Sequence, residues 1–293
     1  MSRPADPLPS PAMFLRTVGF VAFLVSALVA YARDAEVLRR FDAPEAVQGV
    51  AVDGHAGEGA AFYAIANGAI GKYDKRTGKR LGGWRANDDL PLRHLNAGVV
   101  RDGRLYCAHS NFPQWPETSS VEVFDTATLR HIDSHSFGID EGSLTWIDWR
   151  DDASEPDGGA WWAGFAHYSQ HVNDNPRALP TPYTSLVKLD SRWRRLAGWV
   201  FPPEVLNRFA PHSSSGGGWG PGGLLSATGH DRPELYLLAL PRCGSTLRLV
   251  ETVALPIQGQ AIAWDRSDEG VVYGIDRSKR QVIACRVTTP TGR

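Results

Sequence analysis

The sequence predicts an all-β chain folded as a five-bladed β-propeller closed by an N-terminal strand. Three observations carry this. Short apolar runs broken by Gly, Asp and Asn recur roughly every fifty residues. One such unit, His94–Asn111 (HLNAGVVRDGRLYCAHSN), has an Asp102-Gly103 pair between two apolar runs, the strongest short-range hairpin signal. Ten tryptophans, thirty glycines and twenty prolines in 293 residues suit a large core linked by tight turns. A six-bladed ring with one degenerate blade, or a β-sandwich, is the alternative architecture.

The N-terminus stands apart. Arg16 precedes an apolar run, 17–30, and Ala30-Tyr31-Ala32 has the small-x-small form of a signal-peptidase site. The run is shorter than the roughly twenty residues that span a bilayer. The expectation is a signal peptide over 1–32 and a propeller domain over 33–293, exported to the periplasm or secreted. The alternative is a membrane anchor over 17–31, the one circumstance in which a membrane would be a partner.

In chain order, the first unit has strands at 46–53, 60–67 and 70–74, then a turn and a fourth strand reaching about Trp84. The second is the His94–Asn111 hairpin followed by 121–125 and 131–137. Gly49–Asp53 (GVAVD) and Gly98–Asp102 (GVVRD) fall 49 residues apart in these two units. The third takes 143–148, 161–167, 185–190 and 195–200, and the fourth 213–223, 224–230, 234–240 and 247–255. Only 203–209 reads as helix. The fifth takes 258–265, 271–276 and 281–287 and lacks a strand, which 36–42 supplies; lending it closes the ring and removes exposed edges.

A propeller brings the start of each innermost strand and the end of each second strand to one rim. The starts fall near Gln48, His94/Asn96, Ser143/Thr145, 213–215 and Gln258/Gln260. The second strands end at Asn67, His109, His167, His230 and Asp276, with Asn111 just beyond. Histidines at equivalent positions of three successive blades exceed what turn chemistry explains. His94, His109, His167 and His230 are therefore the candidate acid/base groups, because imidazole titrates near neutrality. Gln48, Asn67, Asn96, Asn111, Trp146, Gln258, Gln260 and Asp276 are candidate substrate contacts. His109, His167 and His230 are candidate ligands for a divalent metal, should one be bound.

Asp231 and Asp276 are the nearest carboxylates, either able to orient a histidine, and His212 can also reach the rim. His55, His131, His135 and His171 read as surface. Loops 112–118 and 169–182 overhang the same face. The formal GxGxxG at Gly218, Gly220 and Gly223 lacks a strand-to-helix context, so its glycines read instead as close packing at the channel. No GxSxG or HExxH occurs. Cys107, Cys243 and Cys285 make no zinc spacing, and a Cys243–Cys285 bridge stays open. With a net charge of −1 and no basic stripe, nucleic acid is not an expected partner. A monomer binding a small molecule is.

The phrases IGKYDKRTGKR, HLNAGVV, SSVEVFD, GSLTWID, AWWAGFAHY, WVFPPEVL, TGHDRPELY and QGQAIAWD together resemble a family of exported bacterial propellers often labelled cycloisomerase. The resemblance spans nearly all of 33–293 and implies a propeller enzyme of isomerase, lyase or lactone-hydrolase type. Propeller-type muconate-lactonising enzymes use a His with Arg and Glu and no metal; no Arg or Glu here matches theirs residue by residue. Gluconolactonase-type propellers, more distantly similar, hold a metal with Glu, Asp and Asn, and only Asn96 and Asn111 correspond. The other reading is a non-catalytic propeller that binds a ligand or a protein.

Overall fold

The first strand, β1 (Glu36–Asp42), belongs to the last blade. It pairs antiparallel with β20 (Gln281–Arg286), from Glu36 opposite Arg286 to Asp42 opposite Gln281. The computed structural model describes residues 35–139, 141–173, 175 and 177–288. The expected signal peptide or anchor lies outside them. Among the described residues no helix is long and apolar enough to cross a membrane.

Five four-stranded antiparallel sheets form a ring. The first blade comprises β2 (Gly49–Val52), β3 (Ala61–Ala66), β4 (Ala69–Asp74) and β5 (Arg80–Arg85). The second has β6 (Leu95–Arg101), β7 (Arg104–Ser110), β8 (Ser119–Asp125) and β9 (His131–Gly138). The third has β10 (Ser143–Asp151), β11 (Gly159–Ala166), β12 (Ser185–Leu189) and β13 (Arg195–Val200). After the short helix α1 (Pro203–Phe209) come β14 (Ser214–Trp219), β15 (Leu225–Gly229), β16 (Glu234–Ala239) and β17 (Arg248–Ala254). The last blade runs β18 (Ala263–Trp264), β19 (Val271–Asp276), β20 and then β1. The five-bladed reading and its N-terminal closure stand.

Local chemistry explains the turns. Asp102 and Gly103 both take positive φ, 50° and 71°, as a tight hairpin twisted to match its strands requires. The β4–β5 and β8–β9 turns repeat one device: Asp74 accepts from the Thr77 amide and Asp125 from the Thr128 amide.

Middle strands bury both faces because each blade is sandwiched between two others. Leu235 and Leu237 of β16 join Ile283 and Cys285 of the last blade, while Tyr236 and Leu238 turn toward Trp162 and Leu186 of the third. This period-2 split gives each gap between neighbouring blades its own apolar core. All three cysteines are free, so the Cys243–Cys285 bridge is not formed.

One expected strand contracts. The 258–265 run becomes the two-residue β18 because Gly259 and Gln260 take positive φ, 57° and 68°. Their hydrogen bonds leave the blade: the Gln260 amide donates to Gly229 O and the Ala261 amide to Gln48 O.

Candidate functional site

Where the innermost strands begin, one polar side chain from each blade meets a cavity of about 510 Å³: Gln48, Asn96, Thr145, Ser215 and Gln260. Gln48, Asn96, Thr145 and Ser215 each stand one or two residues from their strand's start, and Gln260 stands three before β18. Gln48 Nε2 donates to Asn67 Oδ1 at 2.6 Å, and Asn96 Nδ2 donates to Leu144 O at 3.0 Å. The Asn96 arrangement leaves its side-chain oxygen for a ligand.

Of the four histidines expected here, His94 and His230 line the cavity; His109 and His167 do not. Strand β7 runs on to Ser110, so His109 is a paired strand residue rather than the end of one, and its Nδ1 meets Ser120 Oγ at 2.9 Å. His167 is buried against Gly142 and Tyr183. Asn111 lines the cavity while bracing loop 112–118, donating to Pro116 O and accepting from the Thr118 amide. Trp146 is fully buried in the core between the third and fourth blades, its Nε1 donating to Ser214 Oγ, so it forms no wall of the cavity. Gln258 is exposed and accepts from the Ser278 amide. Asp276 caps the following turn through Ser278 and Lys279, and neither residue reaches the cavity.

The residues that do reach it lie just beyond those positions: Tyr168 after His167 and Arg277 after Asp276, with Arg93 before His94. His212 joins from the segment after α1, held by Thr181 Oγ1, which donates to His212 O at 2.6 Å. Two histidines read as surface are instead structural. His131 pairs with the buried Glu122 at 2.7 Å, and His171 packs against Phe112 and Tyr168.

His212 and His230 form the chemical centre of this mouth. Their rings stack 4.0 Å apart at 22°. His230 Nδ1 lies 2.6 Å from Asp231 Oδ1, and His212 Nδ1 lies 2.9 Å from Asp231 Oδ2. Burial opposes the charge on Asp231, but the hydrogen bonds from His230 and His212 outweigh it and hold its carboxyl below the usual range. Burial lowers the pKa of His230; Asp231 resists the shift, while His212 and Arg277 add to it. A neutral His230 that donates Nδ1–H to Asp231 carries its lone pair on Nε2. Burial, His109 and Arg277 lower His94 to about 4, so it too is uncharged near neutrality.

The donor atoms of His212, His230 and Asp231 lie within 4.8 Å of one another, as a metal site would need. The stack argues against one. An imidazole binds a metal in its ring plane, and two nearly parallel planes 4.0 Å apart do not converge on one ion at about 2.1 Å from each nitrogen. Nor do His109, His167 and His230 form a ligand set, since only His230 faces the cavity.

No family model matches the chain, and no curated protein matches it. Among solved structures, a luciferin-regenerating enzyme is similar over 82% of this chain and 77% of its own, with 13% identity and a TM-score of 0.48. A PQQ-bound aldose sugar dehydrogenase from Streptomyces coelicolor is similar over the same shares, with 14% identity and a TM-score of 0.46. Both likenesses are distant.

Proposed function

We propose that this mouth is the active site of an enzyme that moves a proton on a small polar anion, in a reaction of cycloisomerase, lactonase or lyase type. One observation carries the reading. His230, fixed by Asp231 and held neutral, shares the cavity with Arg93 and Arg277, neither of which has a carboxylate partner among the described residues. Two such guanidiniums suit a carboxylate on the substrate. His230 Nε2 takes a proton from a carbon beside the carbonyl or from a hydroxyl, and Asp231 steadies the imidazolium that forms. His94, protonated only in acid, donates or accepts hydrogen bonds as an uncharged ring. The polar belt and the Gln48–Asn67 pair orient the rest of the molecule.

The apolar run 17–30 is the sole support for export, which stays part of the proposal. The test is turnover of lactones, uronates and muconates by the purified chain. His230→Gln is expected to abolish kcat while binding persists, and Arg277→Gln to raise KM. Binding without turnover in the parent protein would leave a ligand-capturing propeller instead.

A further inference from the structure

The polar belt of the histidine mouth turns acceptors toward its cavity. Asn96, Thr145 and Gln260 are only 7%, 4% and 3% exposed, yet all three line it. Each spends a donor on a backbone carbonyl. Asn96 Nδ2 donates to Leu144 O, Thr145 Oγ1 to Gly164 O at 3.2 Å, and Gln260 Nε2 to His230 O at 3.5 Å. A carbonyl can only accept, so each amide must point its nitrogen at that partner and its oxygen the other way. Asn96 Oδ1 and Gln260 Oε1 accept from no described residue, and neither is sealed inside the protein.

His212 and His230 add two more acceptors. Both Nδ1 atoms meet Asp231, so each Nε2 carries a lone pair, and the nearly parallel stack turns both the same way. Charged donors come from Arg93 and Arg277, and no residue lining the cavity is a carboxylate. A metal cation would suit the neutral oxygens, but two guanidiniums in the same cavity repel it. An acid without hydroxyls would satisfy the guanidiniums and strand the acceptors, and a site with buried polar groups left unpaired rejects such a molecule.

We infer that the substrate is a polyhydroxy acid of the aldonate or uronate kind. Its carboxylate meets Arg93 and Arg277, and its hydroxyls donate to Asn96 Oδ1, Thr145 Oγ1, Gln260 Oε1 and the imidazole Nε2 atoms. A hydroxyl that donates to His230 Nε2 presents the proton that this ring removes. The class rests on the anion site of the proposed function and selects among the acids that site admits, setting muconates aside.

The test is titration of the full chain with D-gluconate and, separately, with hexanoate, acids of equal chain length and charge of which only the first is hydroxylated. Binding is read at the His230 imidazole by nitrogen-detected NMR, its signal assigned through His230→Gln, so an anion held elsewhere on the protein is not counted. Gluconate is expected to bind about tenfold or more tightly than hexanoate. Asn96→Leu should weaken gluconate several-fold and leave hexanoate as it was. Thr145→Val, which keeps the shape and removes the hydroxyl, should do the same and serves if the first variant fails to fold. Arg277→Gln should weaken both acids alike. Hexanoate binding as tightly as gluconate, with both weakened in Arg277→Gln, would overturn the hydroxylated class and leave the anion site standing. Gluconate binding unaltered in both Asn96→Leu and Thr145→Val would overturn it as well. If neither acid moves the His230 signal, the anion site fails and the class falls with it.

Discussion

His212 and His230 lie 18 residues apart in sequence, one before β14 and the other after β15, and they stack at 4.0 Å with Asp231 bonded to both Nδ1 atoms. One carboxylate thus sets the tautomer of two imidazoles and frees both Nε2 atoms for the cavity. The same carboxylate opposes the burial that lowers the pKa of His230.

Replacing Asp231 by Asn removes that control. An amide in place of the carboxylate no longer requires Nδ1–H on either ring, and the opposition to the lowered pKa of His230 disappears. In Asp231→Asn the His230 pKa is expected to fall further, and its Nδ1–H tautomer to lose its dominance. Nitrogen-detected NMR titration of the imidazoles reads both. An unchanged tautomer would remove Asp231 from its role.

His94 makes stability depend on pH. Its folded-state value of about 4 lies below the ordinary 6.5, so between those limits the unfolded chain holds a proton that the folded chain does not. Stability therefore rises with pH across that window and is lost as pH falls through it. Full development of the shift amounts to roughly 3 kcal/mol. Urea unfolding at pH 7 and pH 4.5 should show a smaller difference in His94→Gln than in the parent. Equal differences would mean that His94 titrates normally.

Ring closure has a polar clamp besides the β1–β20 pairing. Lys75 of the first blade reaches Asp265 of the last at 2.7 Å and also donates to Asp53 O and Ser267 Oγ. The two side chains are only 11% and 4% exposed. Lys75→Met leaves Asp265 buried without its cation, at a cost of about 3–5 kcal/mol. Denaturant midpoints should show this, and adding Asp265→Leu should recover part of it. An unaltered midpoint in Lys75→Met would show that the apolar gaps alone hold the ring shut.

The fold and part of the mouth were legible because both follow from strand order. A strand whose start is marked by a turn must begin at the rim, which is why Gln48, Asn96 and Gln260 could be placed from the sequence. Strand ends are less legible. Strand β7 runs one residue past His109, to Ser110, so His109 is paired within the ladder instead of ending at the rim. His167 and Asp276 each yield the cavity to the residue that follows. Trp146 shows a different limit: a tryptophan on an inner strand reads alike whether it walls a cavity or, as here, fills a gap beside Gly164 and Gly217. His212 could be placed near the rim because it directly precedes the fourth blade's innermost strand, but its stack on His230 depends on Thr181 holding His212 O, which no spacing encodes.

The backbone beneath His230 offers the sharpest test of how closely that residue is held. Gly259 has φ 57°, and a Cβ there would fall 2.3 Å from His230 O and 2.6 Å from Gly229 O. Neither neighbour can swing aside, because both contacts are backbone. Gln260, also left-handed, follows directly and donates its amide to Gly229 O at 2.9 Å. Gly259→Ala must therefore push His230 from its place while adding left-handed strain of about 1–3 kcal/mol. The expected result is a loss of stability together with a disturbed His230 titration, whereas His94, carried on the far side of the ring closure by β6's approach, titrates as before. If the His230 pKa and tautomer survive the substitution, its position is set by Asp231 and the stack on His212 rather than by the strand that carries it.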